Sequence, residues 1–577
     1  MESKNLILAI TLSVGILLIW SILFEAPPIE DSSVSNQATE IKKDESKKET
    51  DLDFNSFDIG ETIVNSSEDI LSVDESLKNS QRIKIKTPSL SGSINLLGLK
   101  IDDLVLEKYN KTLEADSKKI RFLSPGDTRD GLEISFGWIK PKDSSFDVPD
   151  SKSLWSISNS STTLDENNEI ILEWSNNSGQ IFQTFISVDK DYLFNVKQVV
   201  KNNSSEEIII NNNSKIIRKK APQLSGMFIL HEGPIGVLQE ELELIDYDDL
   251  KEDKDVLNYE SDNGWIGITD KYWLAALIPD QNIPFKSIYA YDDNLGYVAY
   301  FRSLDSYSVK PNTKIEIDSK VFAGAKEADL LDLYQEKYNI YNFDLAIDWG
   351  WFYFITKPLF YAISYFYQLF GNFGIAIIIL TVITRIVFFP LANWSFVSMA
   401  KMKLLQPEMT RIKDLYKDDR QQQQQALMAL YKKEKVNPVS GCLPILIQIP
   451  FFFAIYKMLF ISIEMRHAPF YGWIEDLSVK DPTTIFNLFG LIPWDPPSFM
   501  IIGIWPILMG LTMYLQQKLN PAPPDPIQAK IFSFFPLFIT ILLSQFAAGL
   551  VIYWTTNNIL SILQQWIITR RTKIKTN

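Results

Sequence analysis

Apolar runs without charge divide this 577-residue chain into three textures. The first run, Leu6 to Phe24 (LILAITLSVGILLIWSILF), is long enough at about 1.5 Å per residue to cross a hydrocarbon core of roughly 30 Å. Its length, and the poor cleavage sequence Glu25-Ala26-Pro27-Pro28, indicate a retained anchor (residues 1–25) rather than a cleaved signal. Residues 26–81 are polar, poor in aromatics and charged in alternating blocks, the composition of a flexible tether. From Arg82 the pattern changes to short alternating or β-branched runs such as QIFQTFISV, YLFNVKQVVKN, EEIIINNN and KIEIDSKVFAG, separated by Asn, Gly, Asp and Ser turns. Many short strands with no long helical pattern between them predict an antiparallel β-sandwich over residues 82–327, followed by a helix around Ala328 to Tyr338.

Long apolar runs return at residue 349. From Phe354 to Pro390 only Lys357 and Arg385 are charged, which is too much apolar chain for one upright helix. The expected division is an aromatic-rich interfacial helix (Trp349 to Phe370, within a 328–370 linker), a break at Gly371-Asn372, and a span over Phe373 to Pro390. Further spans are expected at Cys442 to Ile461 and Ile501 to Leu515. The run Ile531 to Ile568 carries no formal charge and is long enough for two crossings, with QFAAG (545–549) as their turn. The predicted fold is therefore a polytopic α-helical membrane protein of six spans, five of them in a core over 371–569, with a large extracytoplasmic antiparallel β-sandwich.

Charge sets the orientation of those spans. Residues 351–577 carry 20 Lys or Arg against 11 Asp or Glu, whereas the first 350 carry 36 against 60. The basic residues gather between Ser398 and Lys435 and in the tail 570–577, and the positive-inside rule assigns both to the cytoplasm. An even number of spans then puts the N-terminus there too, with the acidic body outside. That acidic body argues against a nucleic-acid binder. Cys442 is the single cysteine, which excludes an internal disulfide and a multi-cysteine metal site.

Arg385, five residues before Pro390, is the outstanding candidate. An arginine in a span either snorkels to the headgroups or points into a wet interior, where it would attract acidic or polar stretches of a passing chain. Thr381 shares its helix face at i−4. Gln448, Thr555, Thr556, Asn557 and Asn558 add polarity to other spans, each alone compatible with ordinary helix packing. The segment 398–436 predicts two cytoplasmic helices folded as a hairpin, with Lys401, Lys403, Arg411, Lys413, Lys432 and Lys433 as its basic surface: topology-setting charge, or a docking element. Lys457, with no acidic neighbour in sequence, is expected to snorkel outward, and His231, alone in the β region, to be structural. HExxH, GxSxG and Walker A patterns are missing from the sequence, so no enzyme activity and no cofactor or metal is expected.

Several strings then carry a resemblance. GWIGITDKYWLAALIPDQ (264–281), PLANWSFVSMAKMKLLQPEM (390–409), ALYKKEKVNPVSGCLPILIQIPFFFAIYKML (429–459) and GLVIYWTTNNILSILQQW (549–566) resemble, in order, the YidC/Oxa1/Alb3 insertases, in the Gram-negative form with a periplasmic domain. The resemblance implies insertion and chaperoning of inner-membrane proteins, alone or with the Sec translocon. It implies a hydrophilic groove whose arginine and threonine fall on Arg385 and Thr381, with Trp554 beside Tyr553 as the substrate-facing aromatic position. Its implied partners are nascent membrane proteins, the ribosome and targeting machinery, and lipid. A secondary transporter and a membrane-anchored binding domain are the rival readings; the first predicts inverted repeats, which the sequence lacks.

Overall fold

The computed structural model describes residues 71–576 apart from 115, 225–229, 254–255, 418, 435, 437–442, 495, 498–500 and 521–525. The expected anchor Leu6 to Phe24 and residues 26–70 of the expected tether lie outside these residues, while the tether's last part, 71–81, contains a capped helix, Val73–Lys78. Two sheets face each other between Arg82 and Ala325. One is eleven-stranded and centred on Ile208–Arg218, which lies between Leu132–Ile139 and Gly296–Ser303. The other is nine-stranded and centred on Thr313–Ala325, which lies between Trp273–Ile278 and Leu193–Asn202. Pairing is antiparallel except where Arg82–Lys86 meets Thr163–Leu164.

Register follows from alternation, because a one-residue slip would turn every apolar side chain to the wrong face. Leu193 stands opposite Phe322 and Asn202 opposite Thr313, and Phe194, Val196 and Val200 are buried together. Gly324 is required here: a Cβ on it would lie 2.2 Å from the ring of Tyr192. Trp265, fully buried, meets the ring of Phe343 edge-on at 5.5 Å, and Phe343 also packs on Phe322. The segment after the sandwich is thus part of its core.

Two short helices, α1 (Val73–Lys78) and α2 (Tyr247–Asp253), accompany the sandwich. The later helices are α3 (Ala328–Tyr338), α4 (Tyr353–Phe370), α5 (Phe373–Val387), α6 (Phe389–Leu404), α7 (Gln406–Leu415), α8 (Arg420–Lys433), α9 (Leu443–Ile461), α10 (Ile504–Leu519), α11 (Pro526–Leu543) and α12 (Ala548–Thr576). The expected breaks have local causes. Gly371 ends α4 in the left-handed region at φ 67°, which a glycine adopts without strain, and Asn372 caps α5 by accepting from the N–H of Ile375 at 3.1 Å. The break between α11 and α12 covers 544–547, overlapping the predicted turn 545–549 by three residues.

Among the described residues no single helix is both long and apolar enough to cross a bilayer. The pair α5 and α6 passes that test together, bent by 68° at Phe388. With its 15 residues α5 measures about 22 Å, short of a roughly 30 Å core. Pro390 fits the bend: it has no N–H to give the carbonyl of Ile386, so α5 cannot run on through it, yet it is tolerated in the first turn of α6, where its missing N–H costs no hydrogen bond.

Sandwich and helices are joined by a built junction. Glu464, just after α9, accepts from the N–H of Ala328 at 3.2 Å and so caps α3 from the other half of the molecule. Glu327 receives the hydroxyls of Tyr109 (2.8 Å) and Tyr192 (3.0 Å), and Arg466 donates to the carbonyls of Asn110 (2.7 Å) and Lys111 (3.2 Å). The ammonium of Lys271 lies 3.6 Å from the ring centre of Phe460. Lys457 corrects the sequence expectation: it points to Asp348 and forms an ion pair at 2.5 Å, with a partner 109 positions away. Lys357 similarly holds Asp332 (3.0 Å) and Asp344 (2.7 Å). His231 is buried, its Nε2 2.9 Å from the carbonyl of Pro234, in keeping with a structural role.

Burial raises the Glu464 carboxyl to about 7 and depresses the Lys271 and Lys326 ammoniums to about 8. A raised carboxyl contributes stability that is complete below its ordinary value near 4.5 and is lost as pH rises through about 7. The lysines act in a separate window, losing their contribution as pH falls from 10.5 through about 8. Comparing wild type with Glu464→Gln isolates the carboxyl. In thermal unfolding of the detergent-solubilised chain the two should match at about pH 4, with the variant more stable by about 3 kcal/mol at about pH 8; an equal gap at both would show that Glu464 ionises without penalty.

Candidate groove between the helices

Along α5 and α6 the positions Val382, Arg385, Ile386, Phe389, Asn393, Val397 and Lys401 recur at three- and four-residue intervals and form one wall of an open groove of about 700 Å³. Leu560, Leu563, Gln564, Ile567, Ile568 and Arg571 of α12 form the other wall. The bend at Phe388 opens this space by turning α6 out of line with α5. The lining is mostly apolar, with Arg385, Asn393, Lys401, Gln564 and Arg571 as polar points on it.

Arg385 lies where three helices converge. Its Nε donates to Oδ1 of Asn557 on α12 at 2.7 Å, and its Nη2 donates to the Asn557 carbonyl at 3.3 Å and to Oε1 of Gln448 on α9 at 3.4 Å. Behind it a chamber of about 40 Å³, with room for water, is bounded by Thr384, Phe388, Gln448, Phe451, Tyr553 and Asn557. Every oxygen that Arg385 contacts is neutral, and among the described residues no carboxylate pairs with it. Its charge therefore remains uncompensated in an apolar setting, where its field is weakly screened.

The structure divides the predicted site. Arg385, Gln448 and Tyr553 meet around the small chamber. Thr381 does not line either cavity: it is fully buried, and its hydroxyl donates to the carbonyl of Ile377 at 2.7 Å, the back-bonding that a threonine within a helix adopts. Trp554 packs edge-on to Phe452 at 4.8 Å, away from the groove, and Thr556 lines neither space. Asn557, read in the sequence only as added polarity, is the principal partner of Arg385.

The basic residues divide too. Lys401 and Lys403 stand on α6, since the helical break falls at Leu405 and not at Ser398. Lys401 lines the groove, and Lys403 donates to the carbonyls of Lys518 (3.4 Å) and Leu519 (3.3 Å) at the end of α10. Arg411 and Lys413 on α7, and Lys432 and Lys433 on α8, belong to the hairpin. That hairpin is closed by Gln423 donating to the Lys413 carbonyl at 3.2 Å and by the Tyr431 hydroxyl donating to the sulfur of Met409 at 3.9 Å.

Comparison with known proteins follows this division into two halves. Residues 82–362 match the family described as YidC periplasmic domain, and residues 365–576 the family described as 60Kd inner membrane protein. A protein named membrane protein insertase YidC from Pelagibacter ubique is 48% identical over 576 residues, covering 100% of both chains. The chain belongs to the YidC family. Another YidC, from Rickettsia felis, is 47% identical over 570 residues, covering 98% of this chain and 99% of that one. A crystal structure titled active YidC insertase with the first transmembrane domain resolved aligns over 84% of this chain and 92% of its own, at 16% identity and a TM-score of 0.35. As a YidC family member the chain is an inner-membrane protein with a periplasmic domain.

If the groove is wetted, water-soluble maleimide will report it. In a Cys442→Ser background in membrane vesicles, Asn393→Cys and Gln564→Cys should label much faster than Ile377→Cys, which is 1% exposed, and faster than Leu537→Cys on the outer face of α11. Equal sluggishness at all four would mean that the groove holds lipid instead of water.

Proposed function

We propose that this chain inserts integral membrane proteins into the bacterial inner membrane and chaperones their folding, using the groove between α5, α6 and α12 as the path. The observation that carries this reading is the uncompensated cation of Arg385 on a mostly apolar, open wall. A polar segment crossing a bilayer unaided costs several kcal/mol for each unsatisfied backbone group. A groove with polar points and access to water shortens that crossing, and Arg385 attracts carboxylates and backbone carbonyls. The client's apolar helix then leaves along the apolar wall into lipid, driven by burial of its surface. The sequence holds no recognisable nucleotide motif, so the energy comes from partitioning, aided by the membrane potential at about 2.3 kcal/mol per charge per 100 mV.

The full reading includes six spans, with both termini and the α7–α8 hairpin in the cytoplasm and the β-sandwich in the periplasm. The basic hairpin and the basic end of α12 support that orientation. The partners in this reading are nascent membrane proteins, the Sec translocon, the ribosome with its targeting machinery, and lipid. Arg385 serves the groove directly and Gln448 and Tyr553 serve the chamber behind it, whereas Thr381, Trp554 and Thr556 support the helices that form the groove. Action as an insertase requires no catalytic residue, cofactor or metal.

Site-specific photocrosslinking to a stalled, single-span nascent chain tests the path. Probes at Ile386 and Leu563 should capture the client and a probe at Leu537 should not. Arg385→Ala should lower insertion of clients with acidic exported segments more than of matched neutral ones. Equal capture at all three positions in folded protein would sink the groove as the path.

A further inference from the structure

Arg385 has a long aliphatic stem, and the strongest pull on its guanidinium is outward to water and headgroups. Something must hold it in. Asn557 makes two of its three hydrogen bonds, through the side-chain oxygen at 2.7 Å and the carbonyl at 3.3 Å, so a single residue of α12 fixes both the edge and the plane of the guanidinium. Asn557 is itself buried at 6% exposure, and its carbonyl also accepts the hydroxyl of Ser561 at 2.7 Å, which fixes the acceptor. Nη1 has no hydrogen-bond partner among the described residues, and Arg385 lines both the groove and the chamber behind it.

The choice of amide matters. An aspartate of the same shape would bind the guanidinium more strongly, as a charge-assisted pair, and would cancel the charge. A hydrophobic residue would release it. We infer that Asn557 is a positioning residue for insertion: it aims Arg385 into the groove with neutral oxygens and so leaves the positive charge available to the client. This inference rests on the groove reading above.

A double-mutant cycle separates positioning from plain helix packing. Insertion is measured in vesicles for two single-span reporters, identical except that the exported segment carries aspartates in one and asparagines in the other. The variants are Arg385→Ala, Asn557→Ala, Asn557→Asp and the two doubles, each checked for membrane level and thermal midpoint. Asn557→Asp should keep the wild-type midpoint or raise it, yet lower insertion of the acidic reporter several-fold, towards the level of Arg385→Ala, and more than for the neutral reporter. Asn557→Ala should act in the same direction, and neither change should add to Arg385→Ala. Additive losses, or equal losses for both reporters, would overturn the positioning role and return Asn557 to packing. If Arg385→Ala itself leaves acidic and neutral reporters equally inserted, the groove reading fails first, and the two failures are told apart.

Discussion

A guanidinium held among apolar helices by neutral oxygens is the constraint around which the membrane half is arranged. Leaving it without hydrogen bonds would be costly, and pairing it with a carboxylate would remove its charge. Asn557 and Gln448 avoid both outcomes, and they do so only because α5, α9 and α12 converge at one level. The bend at Phe388 completes the arrangement: it turns α6 aside and gives the guanidinium an open wall instead of a packed interior.

At the other end of the helices the electrostatic solution is the opposite. The junction with the β-sandwich has ion pairs, Lys457 with Asp348 and Lys357 with Asp332 and Asp344, beside Arg466, which donates to two carbonyls at the end of a strand. Glu464 caps a helix that begins where the last long strand ends, so the last strand, α3 and α9 are tied at one point. Ion pairs and caps of this kind carry direction as well as energy, and they orient the sandwich relative to the helices in a way that apolar contact alone does not.

Much of this was legible from local pattern. Gly371-Asn372 separates two helices because glycine tolerates a positive φ and asparagine caps, and both properties belong to the residues themselves. The alternation in QIFQTFISV and YLFNVKQVVKN named two strands that do pair. The site was less legible. Thr381 shares a helical face with Arg385 by spacing, but a threonine can satisfy its hydroxyl on its own helix, and spacing does not reveal that choice. Lys401 looked like hairpin charge because its neighbours are basic; that α6 continues past Ser398 decides otherwise. The three- and four-residue recurrence from Val382 to Lys401 was the signal that could have found the groove wall.

The residues by themselves determined an apolar, basic helical half, an acidic β half, the breaks between helices and an arginine that had to be explained. These are properties of single residues and of short periods, which depend only on neighbours in sequence. Only the tertiary structure decided which oxygen receives that arginine, which lysines are paired and which threonine turns away. Arg385 and Asn557 are 172 positions apart, and Lys457 and Asp348 are 109. Contacts over such separations depend on how whole helices converge, and no local pattern encodes that.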